Sequence, residues 1–142
     1  MNSFKKALGI LSKAKQGSLF GKPKNRLVIG TTTNGFSVRR SFPTKEAFWE
    51  HHKNWTPRDH RDAQKLHSKL REDALLKHPY SPTPGPEARS DPEFIQPHNM
   101  AWAHTHASIV KAPGLAESTR ILHRADVSRC VEAANKNLWS SR

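Results

Sequence analysis

The strongest local pattern in the chain is an alternation of apolar and polar residues over 27–42, interrupted by Asn34-Gly35. Asn-Gly is a preferred two-residue hairpin turn, because both positions tolerate positive φ. With that turn as the loop, Thr31 faces Val38 across the predicted sheet. One face of the sheet is then apolar and carries Leu27, Ile29, Phe36, Val38 and Phe42. The opposite face is mainly polar and carries Val28, Thr32, Ser37, Arg39 and Ser41.

Arg40 does not fit this alternation, because the same register places it on the apolar face opposite Ile29. A long arginine side chain can keep its charged head in water by extending to the edge of the sheet. The alternative is that a bulge changes the register of the hairpin. The pattern leaves these two interpretations open.

Two helices are predicted after the hairpin, over 45–54 and over 57–77. The second has the clearer start, because Thr56 can cap it, Pro57 suits the first helical position and Asp59 lies three residues after the cap. Its apolar positions recur at helical spacing and form one stripe: Ala63, Leu66, Leu70 and Ala74. We expect this stripe to face the core.

The second half of the chain begins with a proline-rich stretch over 79–97, which holds six of the ten prolines. Proline lacks a backbone donor and fixes φ, so this stretch is predicted to be an extended crossover on the surface. A short helix is predicted over 98–112. The remainder fits either a strand over 119–123 followed by a helix over 126–138, or one continuous helix over 116–138.

These elements predict an α+β fold, in which a small antiparallel sheet built on the hairpin is packed by several helices. A chain of 142 residues has room for one modest core, because small domains bury a smaller share of their surface. We therefore predict a single small domain over 27–142. Residues 1–26 form a basic amphipathic arm and linker, with a predicted helix over 2–16 whose apolar positions include Phe4, Leu8 and Leu11.

Charge is strongly segregated along the chain. The formal net charge is +12, and the first acidic residue is Glu46. Residues 1–45 carry ten Lys and Arg and no Asp or Glu, whereas the rest of the chain is nearly balanced. This segregation concentrates positive potential at one end, where a polyanion or an anionic membrane surface would be attracted.

The favoured function is therefore a non-enzymatic binding or assembly protein that engages a polyanion, with nucleic acid as the expected partner. A nucleoprotein particle with further protein partners is one setting for such a protein. The predicted nucleic-acid contacts are the basic side chains of the arm and hairpin: Lys5, Lys6, Lys13, Lys15, Lys22, Lys24, Arg26, Arg39 and Arg40.

Two rival functions belong to other classes. A peripheral membrane protein would lay the predicted helix over 2–16 on anionic lipid. A small nuclease would use one or two histidines as general acid and base, together with an arginine. The candidate catalytic residues for that chemistry are His52, His60 and His67.

The composition argues against other kinds of site. Nine histidines are many for this length, but there is one cysteine, Cys130, and no His-Glu-x-x-His motif. We predict no metal site and no cofactor. His104 and His106 are two apart and would diverge on a helix. No apolar run approaches the roughly 18 residues of a membrane span, so we expect a soluble protein inside a cell or within a particle.

Overall fold

The computed structural model describes residues 27–78 and 86–136. The predicted arm over 1–26, with seven of its predicted nucleic-acid contacts, lies outside the described residues. The α+β prediction is confirmed, since a two-stranded antiparallel sheet is joined to helices. The described elements are β1 (Val28–Thr31), β2 (Ser37–Arg39), α1 (Lys45–His51), α2 (Pro57–Leu75), α3 (Pro86–Arg89), α4 (Pro92–Val110) and α5 (Glu117–Asn135). Among these described helices, none is both long and apolar enough to cross a membrane.

The hairpin forms, but its predicted register is wrong by one residue. Thr31 pairs with Ser37 instead of Val38, and the loop contains three residues, closed by the Gly35 amide donating to the Thr32 carbonyl (2.9 Å). Only Gly35 is required to take a positive φ here, 92°, as in a common three-residue hairpin loop. Thr32, predicted on the polar face, is consequently buried.

A bulge between Val28 and Gly30 shifts the register by one more residue, so that Val28 pairs with Arg39 and the side chains return to their predicted faces. Ile29 therefore still packs with the buried side chain of Val38, as predicted. Arg40 donates its backbone amide to the Leu27 carbonyl, so it does not lie opposite Ile29. The bulge was the correct one of the two interpretations left open by the sequence.

The first turn of α2 holds the hairpin loop in place. Thr56 and Asp59 form the predicted capping box, with the Thr56 amide donating to Asp59 Oδ2 (2.9 Å). The other oxygen of the same carboxylate accepts a hydrogen bond from the Asn34 side chain (2.7 Å). One turn later, Asp62 accepts from the Thr33 amide (3.1 Å). Because the loop is attached to α2 at two points, the sheet lies along the side of this helix.

The helical layer is built around α4, which contacts α2 on one side and α5 on the other. The larger apolar cluster fills the space between the helices and holds Phe42, Phe48, Met100, Ala103, Ala107, Val127, Val131 and Ala134. A smaller cluster under the sheet joins Val38, Trp55 and Ala63 to partly buried Ile29, Phe36 and Leu66. The core therefore lies on one side of α2 and leaves its opposite side in solvent.

The predicted extended crossover over 79–97 is wrong for its second part. α4 begins at Pro92, six residues earlier than the predicted helix, and includes Pro97 in its interior. The start is favourable, because Asp91 caps the helix and proline suits the first helical position. The interior proline removes one backbone donor, but its side chain is buried with Phe94 in the core. Burial of this helix face outweighs a penalty of about 3 kcal/mol.

The strand predicted over 119–123 is also wrong, and the alternative of one continuous helix is correct. α5 spans Glu117–Asn135, and its Val127 and Val131 are fully buried. Ile121 and Leu122 supplied the apparent strand pattern, yet both side chains are exposed (57% and 66%). The core contacts further along the helix therefore decided the local structure, as tertiary packing commonly does. α1 and α2 end at His51 and Leu75, slightly earlier than predicted.

Candidate functional site

The outer face of α2 carries four cationic side chains, which we call the basic stripe: Arg58, Arg61, Lys65 and Lys69. Their spacing of three, four and four residues places them on one side of the helix. All four are exposed. They extend over about 16 Å at the helical rise of 1.5 Å per residue.

The basic stripe has no acidic partner among the described residues. No ion pair or hydrogen bond joins any of its four side chains to another described group. Asp62 lies on the neighbouring side of the helix and instead accepts from the hairpin backbone. Some cations elsewhere are paired with an acid, as in the pairs that join Lys53 to Glu50 and Arg120 to Glu117. The stripe is therefore a surface of available positive charge.

Two spacings within the stripe are unfavourable for the isolated helix, although Asp62, Glu72 and Asp73 lie three or four residues from stripe cations and offset part of the cost. Arg61 and Lys65, and again Lys65 and Lys69, are like charges four residues apart. Each such pair destabilises a helix by about 0.2–0.5 kcal/mol, whereas alternating signs stabilise it by a similar amount. A face that served only solubility would gain from mixed signs. Local sequence choices that oppose stability are typical of functional surfaces.

The two hairpin arginines predicted to bind nucleic acid are less available than the stripe. The Arg39 guanidinium lies over the Phe42 ring, 5.2 Å from its centroid. Arg40 lines a cleft of about 200 Å³ together with His67 and Asp73. Both residues are partly buried. The sequence prediction concentrated on residues 1–45 and missed the stripe, although its spacing is visible in the sequence opposite the apolar stripe of the same helix.

The inner face of α2 carries His60 and His67, which join His52 and His104 in a buried cluster. His60 Nδ1 and His104 Nδ1 are 3.0 Å apart, so one of these nitrogens donates to the other. The ring of His67 stacks on His104, with centroids 5.4 Å apart. The rings of His52 and His60 are 5.3 Å apart. The structure therefore brings together all three candidate catalytic histidines, and adds a fourth from α4.

These histidines are neutral at pH 7. Burial is the main cause that lowers the pKa of His52 to about 2 and the pKa values of His60 and His67 to about 3. Burial also places the pKa of His104 well below its ordinary value, and the other histidines lower it further. Charging any of these rings would put a cation into a low-dielectric interior beside other ionisable groups.

Lys111 adds a fixed positive charge at the edge of the cluster. Its ammonium group donates to the backbone carbonyls of His52 and Trp55, the latter over 3.0 Å. Burial lowers the pKa of Lys111. Its charge in turn disfavours the protonation of His52 and His60. The surroundings of the cluster thus disfavour the charged form of each histidine.

The buried cluster does not have the geometry of a nuclease site. His52, His60 and His67 are fully buried, so a phosphodiester cannot reach them. A histidine that acts as general acid must be in its charged imidazolium form at working pH, and these rings are neutral. Nε2 of His52, His60 and His104 has no hydrogen-bond partner among the described residues. The cluster consists of polar rings packed as core side chains.

Other chemistry-bearing residues are few in the described ranges. Cys130 packs against the larger apolar cluster, and burial raises the pKa of its thiol, as expected for an unreactive cysteine. One group of three donor atoms lies close enough to hold a metal ion, and it consists of His106, His123 and Asp126. As predicted for a helix, His104 and His106 diverge, one into the core and one towards α5.

Comparisons with protein-family models, with curated proteins and with solved structures find no match to this chain. Its function must therefore be argued from its own residues. Two surfaces carry that argument: the basic stripe on the outer face of α2, and the donor group between α4 and α5.

Proposed function

We propose that this protein binds nucleic acid without altering it chemically, through the basic stripe and the arm over 1–26. The observation that carries the proposal is the stripe itself, where Arg58, Arg61, Lys65 and Lys69 are exposed and unpaired on one helix face. Permanent cations spaced along a surface are what phosphate backbones bind. The charge segregation of the sequence supports the same conclusion.

The shape of the stripe favours a polymer over a small anion. A small phosphorylated ligand is typically held in a concave pocket by converging donors. The stripe instead extends its charges along about 16 Å of a convex helix. Each side chain can contact a separate phosphate, and binding is driven by the release of condensed counterions. Such contacts position a protein on nucleic acid but carry no sequence information.

The hairpin connects the stripe with the basic arm. β1 packs against α2, where Gly30 approaches the Leu66 side chain so closely that a Cβ atom would lie 3.0 Å from it. Leu27 precedes this strand, and residues 1–26 before it carry seven of the ten basic residues of 1–45. We propose that this arm and the stripe both contribute to binding nucleic acid.

The proposal is tested by fluorescence anisotropy with short labelled single- and double-stranded oligonucleotides at low salt. The stripe variant combines Arg61→Gln, Lys65→Gln and Lys69→Gln. The matched control removes the same charge from acid-paired positions, with Lys53→Gln, Lys77→Gln and Arg129→Gln. We expect the stripe variant to bind at least about tenfold more weakly than the control.

Equal affinities of the two triple variants would contradict the role of the stripe. A variant lacking residues 1–26 separates the contribution of the arm and is expected to lose most of the binding. Running the recovered oligonucleotides on a gel tests the absence of chemistry, and we expect them to be intact. Cleavage would instead support the nuclease interpretation, and no binding by the intact chain would overturn the proposed function altogether.

A further inference from the structure

Three metal-ligating side chains meet between α4 and α5. His106 projects from α4, while His123 and Asp126 lie three residues apart on α5 and so share one side of that helix. One donor atom from each residue lies within 4.8 Å of the other two. All three residues are partly buried. The group is therefore held by two packed helices yet accessible to solvent.

The distances suit a small tetrahedral ion. His106 Nδ1 is 3.0 Å from His123 Nδ1 and 3.7 Å from Asp126 Oδ2. Zinc bonds of about 2.1 Å place tetrahedral ligand atoms roughly 3.4 Å apart. A hydrogen bond between two neutral rings would explain the nitrogen pair alone. That hydrogen bond alone would not explain why a carboxylate oxygen of Asp126 lies close to the same nitrogens.

A neighbouring arginine orients the carboxylate of this group. Arg129 donates to Asp126 Oδ1, which leaves Oδ2 as the oxygen that faces His106. Partners of this kind outside the ligand shell commonly fix the orientation of metal ligands. The two oxygens of Asp126 are thus divided between the arginine and the proposed ion.

We propose that His106, His123 and Asp126 bind Zn²⁺. Two imidazole nitrogens and a carboxylate oxygen form a donor set that zinc commonly takes in proteins. The described residues supply three ligands, which leaves the fourth tetrahedral position to water or another exchangeable ligand. The ion would also cross-link α4 to α5. This site lies away from the outer face of α2, and the proposal does not depend on the proposed function.

Zn²⁺ binding is measured by isothermal titration calorimetry and by the midpoint of thermal unfolding, using untagged protein. We expect one equivalent to bind and, at a free concentration a hundredfold above Kd, a rise in Tm of about 8 °C. His123→Gln and Asp126→Asn should each weaken binding at least about a hundredfold, since even outer partners contribute ten- to a hundredfold. His98→Gln is the matched control, because it removes a partly buried histidine from the same helix.

Trp102 allows the site to be located directly. Its exposed ring lies 5.9 Å from the His106 ring. Cu²⁺ binds such nitrogen and oxygen sites more tightly than Zn²⁺ and, being paramagnetic, quenches nearby tryptophan. We expect one equivalent of Cu²⁺ to quench the native chain, and Trp102→Phe to remove most of that quenching while Zn²⁺ binding persists.

Two results would overturn the site. Failure of the native chain to bind an equivalent of Zn²⁺ at micromolar concentration is the first. The second is unchanged binding in His123→Gln and Asp126→Asn, which would assign the metal to other histidines. If a variant does not fold, Cu²⁺ quenching of the folded native chain and of Trp102→Phe decides the question without it.

Discussion

The two faces of α2 carry positive or potentially positive side chains in opposite states. On the outer face, Lys65 and its neighbours in the basic stripe are fully charged, exposed and unpaired. On the inner face, His60 and His67 are neutral and buried. α2 therefore presents charged side chains to solvent on one face, where a ligand can contact them. On its other face it buries histidine rings, which are compatible with the folded state only when they are neutral.

The comparison shows that location, more than residue type, decides what a basic side chain can do. Lysine and arginine keep their charge in water and attract phosphates there. Histidine has an ordinary pKa near neutrality, so burial can discharge it at modest cost. Outer-face cations should therefore affect binding, and inner-face histidines should affect stability and its dependence on pH.

The largest expected effect is unfolding in mild acid. The pKa values of His52, His60 and His67 are about 2, 3 and 3 in the folded chain and near 6.5 when unfolded. Below about pH 6.5 the unfolded chain takes up protons that the folded chain excludes, so stability falls as pH decreases. Each ring contributes about 1.4 kcal/mol per pH unit.

With a stability of about 5–10 kcal/mol, within the usual range, the loss from three rings should unfold the domain between about pH 4 and 5.5. Circular dichroism and tryptophan emission report the transition, because Trp55 packs against His52 and His60. A chain that stays folded at pH 3.5 would contradict the neutral state of the cluster.

The next largest effect is on the free energy of unfolding, when a glutamate is introduced on the inner or on the outer face of α2. Ala63→Glu puts a carboxylate into the fully buried inner face and should lower the free energy of unfolding by about 3 kcal/mol or more. Lys65→Glu, two residues away on the outer face, is the matched control. Urea unfolding at pH 7 measures both, and similar losses in the two variants would refute the division into faces.

A smaller change removes one titrating ring from the inner face. His67→Leu keeps roughly the same volume and removes two buried ring nitrogens, whose polar contact is with the Arg39 backbone. We expect stability at pH 7 to change by about 1 kcal/mol or less. The pH dependence between pH 4 and 6 should become shallower by about 1.4 kcal/mol per pH unit.

The control for this change is His51→Gln, which can keep a side-chain donor near the Ser37 carbonyl. It lies outside the fully buried set, so its replacement does not remove a ring that burial keeps neutral. Urea titrations at several pH values provide both slopes. An unchanged slope in His67→Leu would mean that this ring does not exclude protons in the folded chain.

The smallest expected change in stability has the opposite sign. Lys65→Glu removes two like-charge pairs and places a carboxylate between Arg61 and Lys69, which outweighs the new repulsion from Asp62, so the free energy of unfolding should rise by about 0.5 kcal/mol. The same variant should bind oligonucleotides more weakly than the native chain. Stability and binding would then change in opposite directions, as expected of a functional surface. A loss of stability together with retained binding would contradict this account.

The sequence predicted the local features well where one residue type decides the structure. The Thr56–Asp59 capping box, the start of α2 at Pro57 and the existence of the hairpin followed from side chains that act on their own backbone. The register was less accessible, because it depends on a bulge at Val28–Gly30 and on Asn34 binding Asp59 across 25 residues. The start of α4 was missed for a related reason, since burial of Pro97 is a tertiary contact.

The sites show the same division. The spacing of the basic stripe was visible in the sequence, but its lack of acidic partners required the structure. His52, His60 and His67 were candidates in the sequence, but their meeting and their burial are tertiary features that required the structure. The meeting of His106 with His123 depends on how α4 packs on α5, and no local pattern indicates that contact.

If the outer face of α2 binds phosphates, the affinity for duplex DNA must depend on salt through the side chains of the basic stripe. The logarithm of the association constant for duplex DNA is plotted against the logarithm of salt concentration, from about 50 to 200 mM. Each phosphate contact contributes about 0.9 to the slope. We predict that Arg61→Gln, Lys65→Gln and Lys69→Gln together reduce the slope by about 2–3, relative to the matched control triple. Identical slopes in the two triple variants would contradict the claim.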